Sequence, residues 1–111
     1  MTGHVYLGID LGTTVLKAAI FKKDGSCLAE AAHKLPIITG AGGKREQDAS
    51  RLPSIFAGVV RAALKAAGKG AAEKVAGIGI AAQGGSFIMA EAKTDKAKSP
   101  MVLWNDMRGQ E

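Results

Sequence analysis

The segment Gly8-Ile9-Asp10-Leu11-Gly12-Thr13-Thr14 sets a carboxylate, a glycine and two hydroxyl-bearing residues side by side, between two short apolar runs. Gly12 lets the backbone come close to a ligand, and the amides and hydroxyls of Thr13 and Thr14 can donate to phosphate oxygens. Asp10, at the end of a buried strand, can hold a hydrated magnesium ion against the same oxygens. The combination suits a polyphosphate. It is not the Walker arrangement, because no Gly-Lys-Ser/Thr ending follows and the next segment reads as a strand. The same residues would also make a plain hairpin, with Asp10 and Gly12 forming the turn and the threonines favouring the strand.

Gln83-Gly84-Gly85 follows the apolar run Val75–Ala82, at a strand end of the kind where α/β sheets place ligands. Gln83 offers a donor and an acceptor together, which matches a polyol hydroxyl, and it could equally cap the strand. Trp104-Asn105-Asp106-Met107-Arg108 joins an aromatic ring to polar and charged groups, although an isolated Trp on a strand is ordinarily core. His4 and His33 stand alone and read as structural or surface residues. No Ser-His-Asp grouping or paired carboxylates occur, so hydrolase chemistry has no support. The single Cys27 has no partner for an internal disulfide and no metal-ligand spacing, and reads as a strand residue.

These groups need a scaffold. Val5–Ile9 and Val15–Phe21 read as strands joined by Gly12-Thr13-Thr14, and Lys23-Asp24-Gly25-Ser26 supplies the turn to a third strand over Cys27–Leu35. Pro36–Arg45, with three Gly and a Pro, reads as an exposed connection. From Leu52 the apolar positions Ile55, Phe56, Val59, Val60, Ala63, Leu64 and Ala67 keep helical rhythm. Asp48 or Ser50 can cap this helix, Pro53 fits its first turn, and Gly68 with Gly70 can end it. Val75–Ala82 reads as a central strand covered on both faces. Ser86–Ala92 and Met101–Trp104 are expected to pair as a hairpin beside it, across Lys93–Ser99. The sum is an α/β arrangement on a mixed sheet. A polar, helix-compatible stretch starts at Arg108–Glu111, and one sheet face has no second covering helix, so the natural protein is expected to continue past this sequence.

With 111 residues, 47% of them hydrophobic, the chain suffices for one domain or a piece of one. No apolar stretch approaches the roughly 20 residues that span a bilayer. Met1–Val5 carries no secretory signature, so a cytoplasmic location and no membrane partner are expected. The net charge of +5 is scattered over Lys22-Lys23, Lys44-Arg45 and Lys93–Lys98, with one Tyr and one Trp for stacking, so no nucleic-acid partner is expected.

Asp10–Thr14, the spacing to Lys17, Glu46-Gln47-Asp48 before the helix, and Gly77-Ile78-Gly79-Ile80 through Gln83 to Leu103-Trp104-Asn105-Asp106 together resemble the FGGY carbohydrate kinases, from Leu7 to Glu111. The resemblance implies the ribonuclease H-like fold of the actin-like ATPases, with residues 1–111 forming an incomplete N-terminal part of domain I. It implies an ATP-dependent kinase that moves the γ-phosphoryl group to a sugar or polyol hydroxyl, with ATP and Mg2+ as cofactors and a homodimer as the assembly of the longer protein. It further implies that Gly12, Thr13 and Thr14 meet nucleotide phosphates, that Asp10 sits at the metal, and that Lys17 is a basic residue near the nucleotide. Gln83, Gly84 and Gly85 would form the sugar pocket, Trp104 its apolar wall, and Asp106 and Arg108 would orient the neighbouring loop or substrate. The family's catalytic Asp and most of its adenosine site lie downstream, so this chain alone is expected to show no turnover. Glycerol-specific relatives carry Arg-Glu after the Gln, and many xylulose-specific ones Met-His; Gly84-Gly85 here puts both substrates in doubt. Lys44 also replaces a frequent Trp, and Ala49 a frequent Pro. A non-catalytic actin-like module that docks a partner on its open sheet face is the alternative from a different functional class.

Overall fold

Strand β1 (Val5–Leu11) alternates buried Val5, Leu7 and Ile9 with less buried Tyr6, Gly8 and Asp10, the period-two pattern of a strand with one face on a core. These features come from a computed structural model that describes residues 3–109. Strand β2 (Val15–Lys22) runs antiparallel to β1 with Asp10 opposite Lys17 and Leu7 opposite Ile20. Strand β3 (Cys27–Lys34) continues the meander after a turn in which Asp24 Oδ1 accepts from the Ser26 N–H at 2.9 Å and its hydroxyl at 2.7 Å.

The stretch expected to be an exposed connection is largely exposed and contains two short strands, β4 (Ile38–Gly40) and β5 (Lys44–Gln47, its last residues buried), joined by a tight turn at Ala41–Gly43. Asp48 then caps a single 3-10 turn, accepting from the Ser50 N–H at 3.0 Å and its hydroxyl at 2.6 Å. Helix α1 (Leu52–Ala67) follows, with Pro53 in its first turn and Gly68 closing it. Its apolar face seats Val59 and Ala63, with Leu52, Ile55, Phe56, Val60 and Leu64 around them, on β2 and β3. Leu16, Ala18 and Ile20 beneath are fully buried, and each large side chain so enclosed contributes about 1.5–3 kcal/mol. A short helix α2 (Ala71–Lys74) leads to strand β6 (Val75–Ala82), parallel to β1, and β7 (Met101–Val102) comes last.

Two sheets result. The larger has the order β3-β2-β1-β6, with α1 on one face, and the smaller the antiparallel order β4-β5-β7. The mixed α/β sheet agrees with the sequence reading in its first three strands, its helix and the presence of a strand over Val75–Ala82.

Two expectations need correction. Strand β6 lies at the edge of the described sheet and is not central: Ile78 and Ile80 share the face of Leu7 and Ile9 but remain 63% and 64% exposed, because α1 lies over β2 and β3. The Ser86–Trp104 arm pairs with itself as expected, but it lies on the small sheet and not beside β6. Phe87 exchanges two hydrogen bonds with Val102, at 3.0 and 2.8 Å, and Ala90 bridges Ala97, while β7 pairs with β5 and so joins the small sheet. Residues 38–45, mostly exposed as expected, are paired within that same sheet. The helix-compatible C-terminal stretch starts as a turn at Arg108-Gly109, and Gln110 and Glu111 lie outside the described residues, as do Met1 and Thr2 of the N-terminal segment. The face opposite α1 carries Tyr6, Gly8, Asp10, Lys17, Ala19, Phe21, Gly77, Gly79 and Ala81 by register, and no described helix covers it.

Candidate active site

Because β1 and β6 are parallel, their C-terminal ends finish side by side, and the Gln83 N–H donates to Leu11 O at 3.0 Å. This brings together the two segments that chemistry singled out. The bend after β1 is closed by the Gly12 N–H on Val15 O at 3.1 Å, and a Cβ on Gly12 would lie 3.0 Å from that oxygen, so only glycine fits without displacing the turn. Thr13 is half-buried and Thr14 exposed.

The Thr13 hydroxyl is the meeting point. It donates to Gln83 Oε1 at 3.2 Å and accepts from the Trp104 indole N–H at 3.2 Å. Ser86 Oγ donates to the same Gln83 oxygen at 2.9 Å and accepts from the Trp104 backbone N–H at 3.0 Å. Gln83 Nε2 reaches back to Gly12 O at 3.4 Å. Gln47, buried in β5, donates its side-chain amide to Thr13 O and so holds the bend from the small sheet. The Trp104 side of this cluster leaves the residue 59% exposed, with its indole anchored by one edge. Gly85, at φ +79, lies in the region that favours glycine, and a Cβ there would meet Trp104 Cβ at 3.2 Å; beside Gly84 there is open space.

Asp10 and Lys17 lie opposite each other on the uncovered face and flank a shallow depression of about 190 Å³, lined also by Gly8, Ile9, Ala19 and Phe21. Neither takes part in a salt bridge among the described residues. No group of three or more His, Cys, Asp or Glu able to hold a metal occurs among those residues. A magnesium ion does not need one, since it keeps several waters and binds through one or two carboxylates plus substrate phosphates, and Asp10 fits that requirement.

Asp106 and Arg108 sit beside Trp104 but are committed to one another. Arg108 Nε donates to both Asp106 oxygens at 3.0 and 3.1 Å, and Nη2 donates to Asp106 Oδ2 at 2.7 Å and Glu46 Oε2 at 2.6 Å. The Arg45 N–H adds a bond to Asp106 Oδ2 at 2.8 Å. The Arg108 guanidinium, then the Arg45 and Arg108 amides, hold the Asp106 carboxyl well below the usual carboxylate range, and Asp106 followed by Glu46 raises Arg108. The clamp therefore fastens the Trp104 loop to β5. Asn105 Oδ1 is buried with no hydrogen-bond partner among the described residues, an uncompensated cost of about 1–3 kcal/mol that one donor would remove.

Sequence reasoning did not assign Gln47, Ser86 or Glu46 to the site. Glu46 and Gln47 were visible as part of a family block, and the available signal was a pair of polar residues in a stretch too short to be read as a strand. Ser86 carried no signal beyond its place after Gly84-Gly85.

The family described as "FGGY family of carbohydrate kinases, N-terminal domain" matches residues 5–111. A probable L-xylulose kinase from Haemophilus influenzae is 35% identical over 109 residues, covering 97% of this chain and 22% of that protein. Glycerol kinase 5 from Xenopus laevis is 31% identical over 105 residues, covering 95% and 22%. Among solved structures, one from Brucella ovis described as a xyloylose kinase superposes with a TM-score of 0.76 at 30% identity, over 95% of this chain and 22% of that one. The chain thus spans about a fifth of the length of these relatives.

Proposed function

The chain belongs to the FGGY family of carbohydrate kinases, and from that premise we propose that residues 1–111 are the N-terminal part of domain I of an ATP-dependent kinase for a sugar or polyol. One observation carries the reading: a single hydroxyl, Thr13 Oγ1, touches both Gln83 and Trp104 while its own backbone forms the bend suited to phosphate. Phosphoryl transfer is chiefly a matter of holding donor and acceptor in contact and stabilising the charge between them. A scaffold that joins a phosphate bend to an indole wall within hydrogen-bond reach meets the first need.

In this reading the amides of Thr13 and Thr14 face the phosphates and the Thr14 hydroxyl adds a donor, while Gly12, its own N–H closing the bend on Val15 O, lets the backbone come close to them. Asp10 holds magnesium through water, and when bound the ion offsets phosphate charge. Lys17, across from Asp10, adds positive charge on the nucleotide side. On the acceptor side, the Trp104 ring covers the carbon face of the sugar, and Gln83 with Gly84 and Gly85 bounds the pocket, whose open space at Gly84 leaves room for the substrate. Asp106 is not the base that takes the hydroxyl proton, because its bonds to Arg108 and Arg45 leave it too weakly basic. That carboxylate belongs to a part of the enzyme beyond these residues. A cytoplasmic, dimeric full-length enzyme completes the proposal.

Calorimetric titration with magnesium tripolyphosphate tests the reading, since of the nucleotide only the phosphates are assigned to this chain. Binding that is lost in Asp10→Ala and in Thr14→Val supports it. Binding unchanged in both, or absent from the wild-type chain, would favour the docking module. No ADP release should accompany incubation with ATP and sugars, and measurable turnover by this chain would contradict the placement of the base.

A further inference from the structure

The two N–H groups of Trp104 decide a polarity that runs through the whole cluster. An N–H only donates. Ser86 Oγ and Thr13 Oγ1 each accept one of these bonds, at 3.0 and 3.2 Å, so each hydroxyl must direct its one proton elsewhere. Both protons go to Gln83 Oε1, from Ser86 at 2.9 Å and from Thr13 at 3.2 Å. Two converging donors select the carbonyl oxygen of the Gln83 amide, which turns its NH2 toward Gly12 O and Met101 Sδ, at 3.4 and 3.9 Å. Trp104, Ser86, Gln83 and Thr13 thereby close a ring of four hydrogen bonds in two arms, each running from a Trp104 N–H through one hydroxyl to Gln83 Oε1, and within each arm the first bond strengthens the second.

From this ring we propose that Ser86 is a positioning residue for phosphoryl transfer. It touches neither substrate in the reading above, on which this inference rests. Its hydroxyl seats the Trp104 backbone and fixes the Gln83 amide, and through them it sets where the Thr13 hydroxyl points. The Thr13 proton is thus committed to the acceptor side, so phosphate is met by main-chain amides and by Thr14. Occupancy of the bend must then be felt at Trp104, because Thr13 is common to both.

Trp104 is the only tryptophan of the chain, so it reports on the ring without labelling. Its indole N–H exchange is measured by proton NMR, and its emission is followed during titration with magnesium tripolyphosphate, in the wild-type chain, Ser86→Ala and Ser86→Thr. The expected result is a protected indole N–H in the wild-type chain and an emission change on phosphate binding. In Ser86→Ala, indole exchange accelerates about tenfold, as for loss of about one hydrogen bond, and the phosphate-linked change shrinks, while Ser86→Thr restores both. Identical exchange and emission in wild type and Ser86→Ala, with phosphate bound by both, would overturn the proposal and leave the kinase reading intact. Absence of phosphate binding in the wild type would count against the kinase reading, while indole exchange would still judge the ring. Should Ser86→Ala fail to fold by circular dichroism, an unprotected indole N–H in the wild-type chain would be decisive against the ring, and a protected one that persists in Ser86→Thr would support it.

Discussion

Replacing Gln47 with Glu changes one NH2 group for one oxygen and isolates what the side chain does. Gln47 is 6% exposed and donates to Thr13 O, which a carboxylate cannot do. The substitution removes that bond and sets a negative charge against the Thr13 carbonyl. Thr13 itself is half-buried, so water relieves part of the loss, and a cost of about 2 kcal/mol at pH 7 follows from the range for a buried group left unpaired. By linkage, about 2 kcal/mol corresponds to raising the new carboxyl by about 1.5 units, from about 4.3 in the unfolded chain to about 6 in the folded one. A raised folded-state value means the carboxylate form is the destabilised one. The deficit is therefore complete above about pH 6 and vanishes as pH falls toward about 4, where the protonated acid again donates to Thr13 O. Urea unfolding at pH 7 and pH 4.5, followed by Trp104 fluorescence and far-UV circular dichroism, measures both values. With a slope of about 2 kcal/mol per molar, the midpoint at pH 7 drops by about 1 M relative to wild type. A variant as stable as wild type at pH 7, or a deficit of the same size at both pH values, would refute the assignment of Gln47 as the donor that holds the bend.

Asp10→Asn keeps the shape and removes the charge: tripolyphosphate should bind about tenfold more weakly with magnesium present, and no more weakly without it, when titrated by calorimetry. Asp106 has its folded-state value depressed, chiefly by Arg108, so its stabilising contribution is present above the unfolded value of about 4 and is lost as pH falls through the folded one. Wild-type stability should therefore decline more steeply than that of Asp106→Asn as pH is lowered below about 4, and parallel acid titrations of the two would exclude the clamp. Ile20, fully enclosed between β2 and α1, should cost about 2–5 kcal/mol as Ile20→Ala. A thermal midpoint lowered by less than about 5 °C would contradict that enclosure.

The elements that the sequence revealed are those whose signal is local. Val5, Leu7 and Ile9 alternate by themselves, Asp24-Gly25 makes its own turn, and the rhythm from Leu52 to Ala67 needs no partner to be recognised. Strands β4 and β5 are too short for a period to show, and β5 owes its order to pairing with Val102 and Met101, far along the chain. For the same reason nothing local marked Gln47 as buried. The reading of β6 erred in another way: its run of Val, Ile, Ala and Gly reports a strand suited to burial on both sides, while position within a sheet is decided by what pairs and packs with it. Its only described neighbour is β1.

The residues proposed for the site were picked out one by one because phosphate and polyol chemistry restrict residue type, whereas their joint geometry depends on the small sheet. Trp104 meets Thr13 across 91 positions of chain, and nothing near either residue forces the encounter. The clamp does. Asp106 grips the Arg45 amide, Arg108 grips Glu46, and the Met107 N–H reaches Gly43 O at 3.0 Å, so the segment after Trp104 is fastened along β5 at several points. Two residues beyond Arg45 on the same strand, Gln47 reaches Thr13 O from below while Trp104 reaches Thr13 Oγ1 from the other end of the clamped segment. Thr13 is thus held at its carbonyl and its hydroxyl by two elements that the Asp106–Arg108 clamp binds together. The charges of Asp106 and Arg108 act on the backbone that aligns the bend at Thr13 with the indole, which is why loosening the clamp should disturb the bend and Trp104 together and neither one alone.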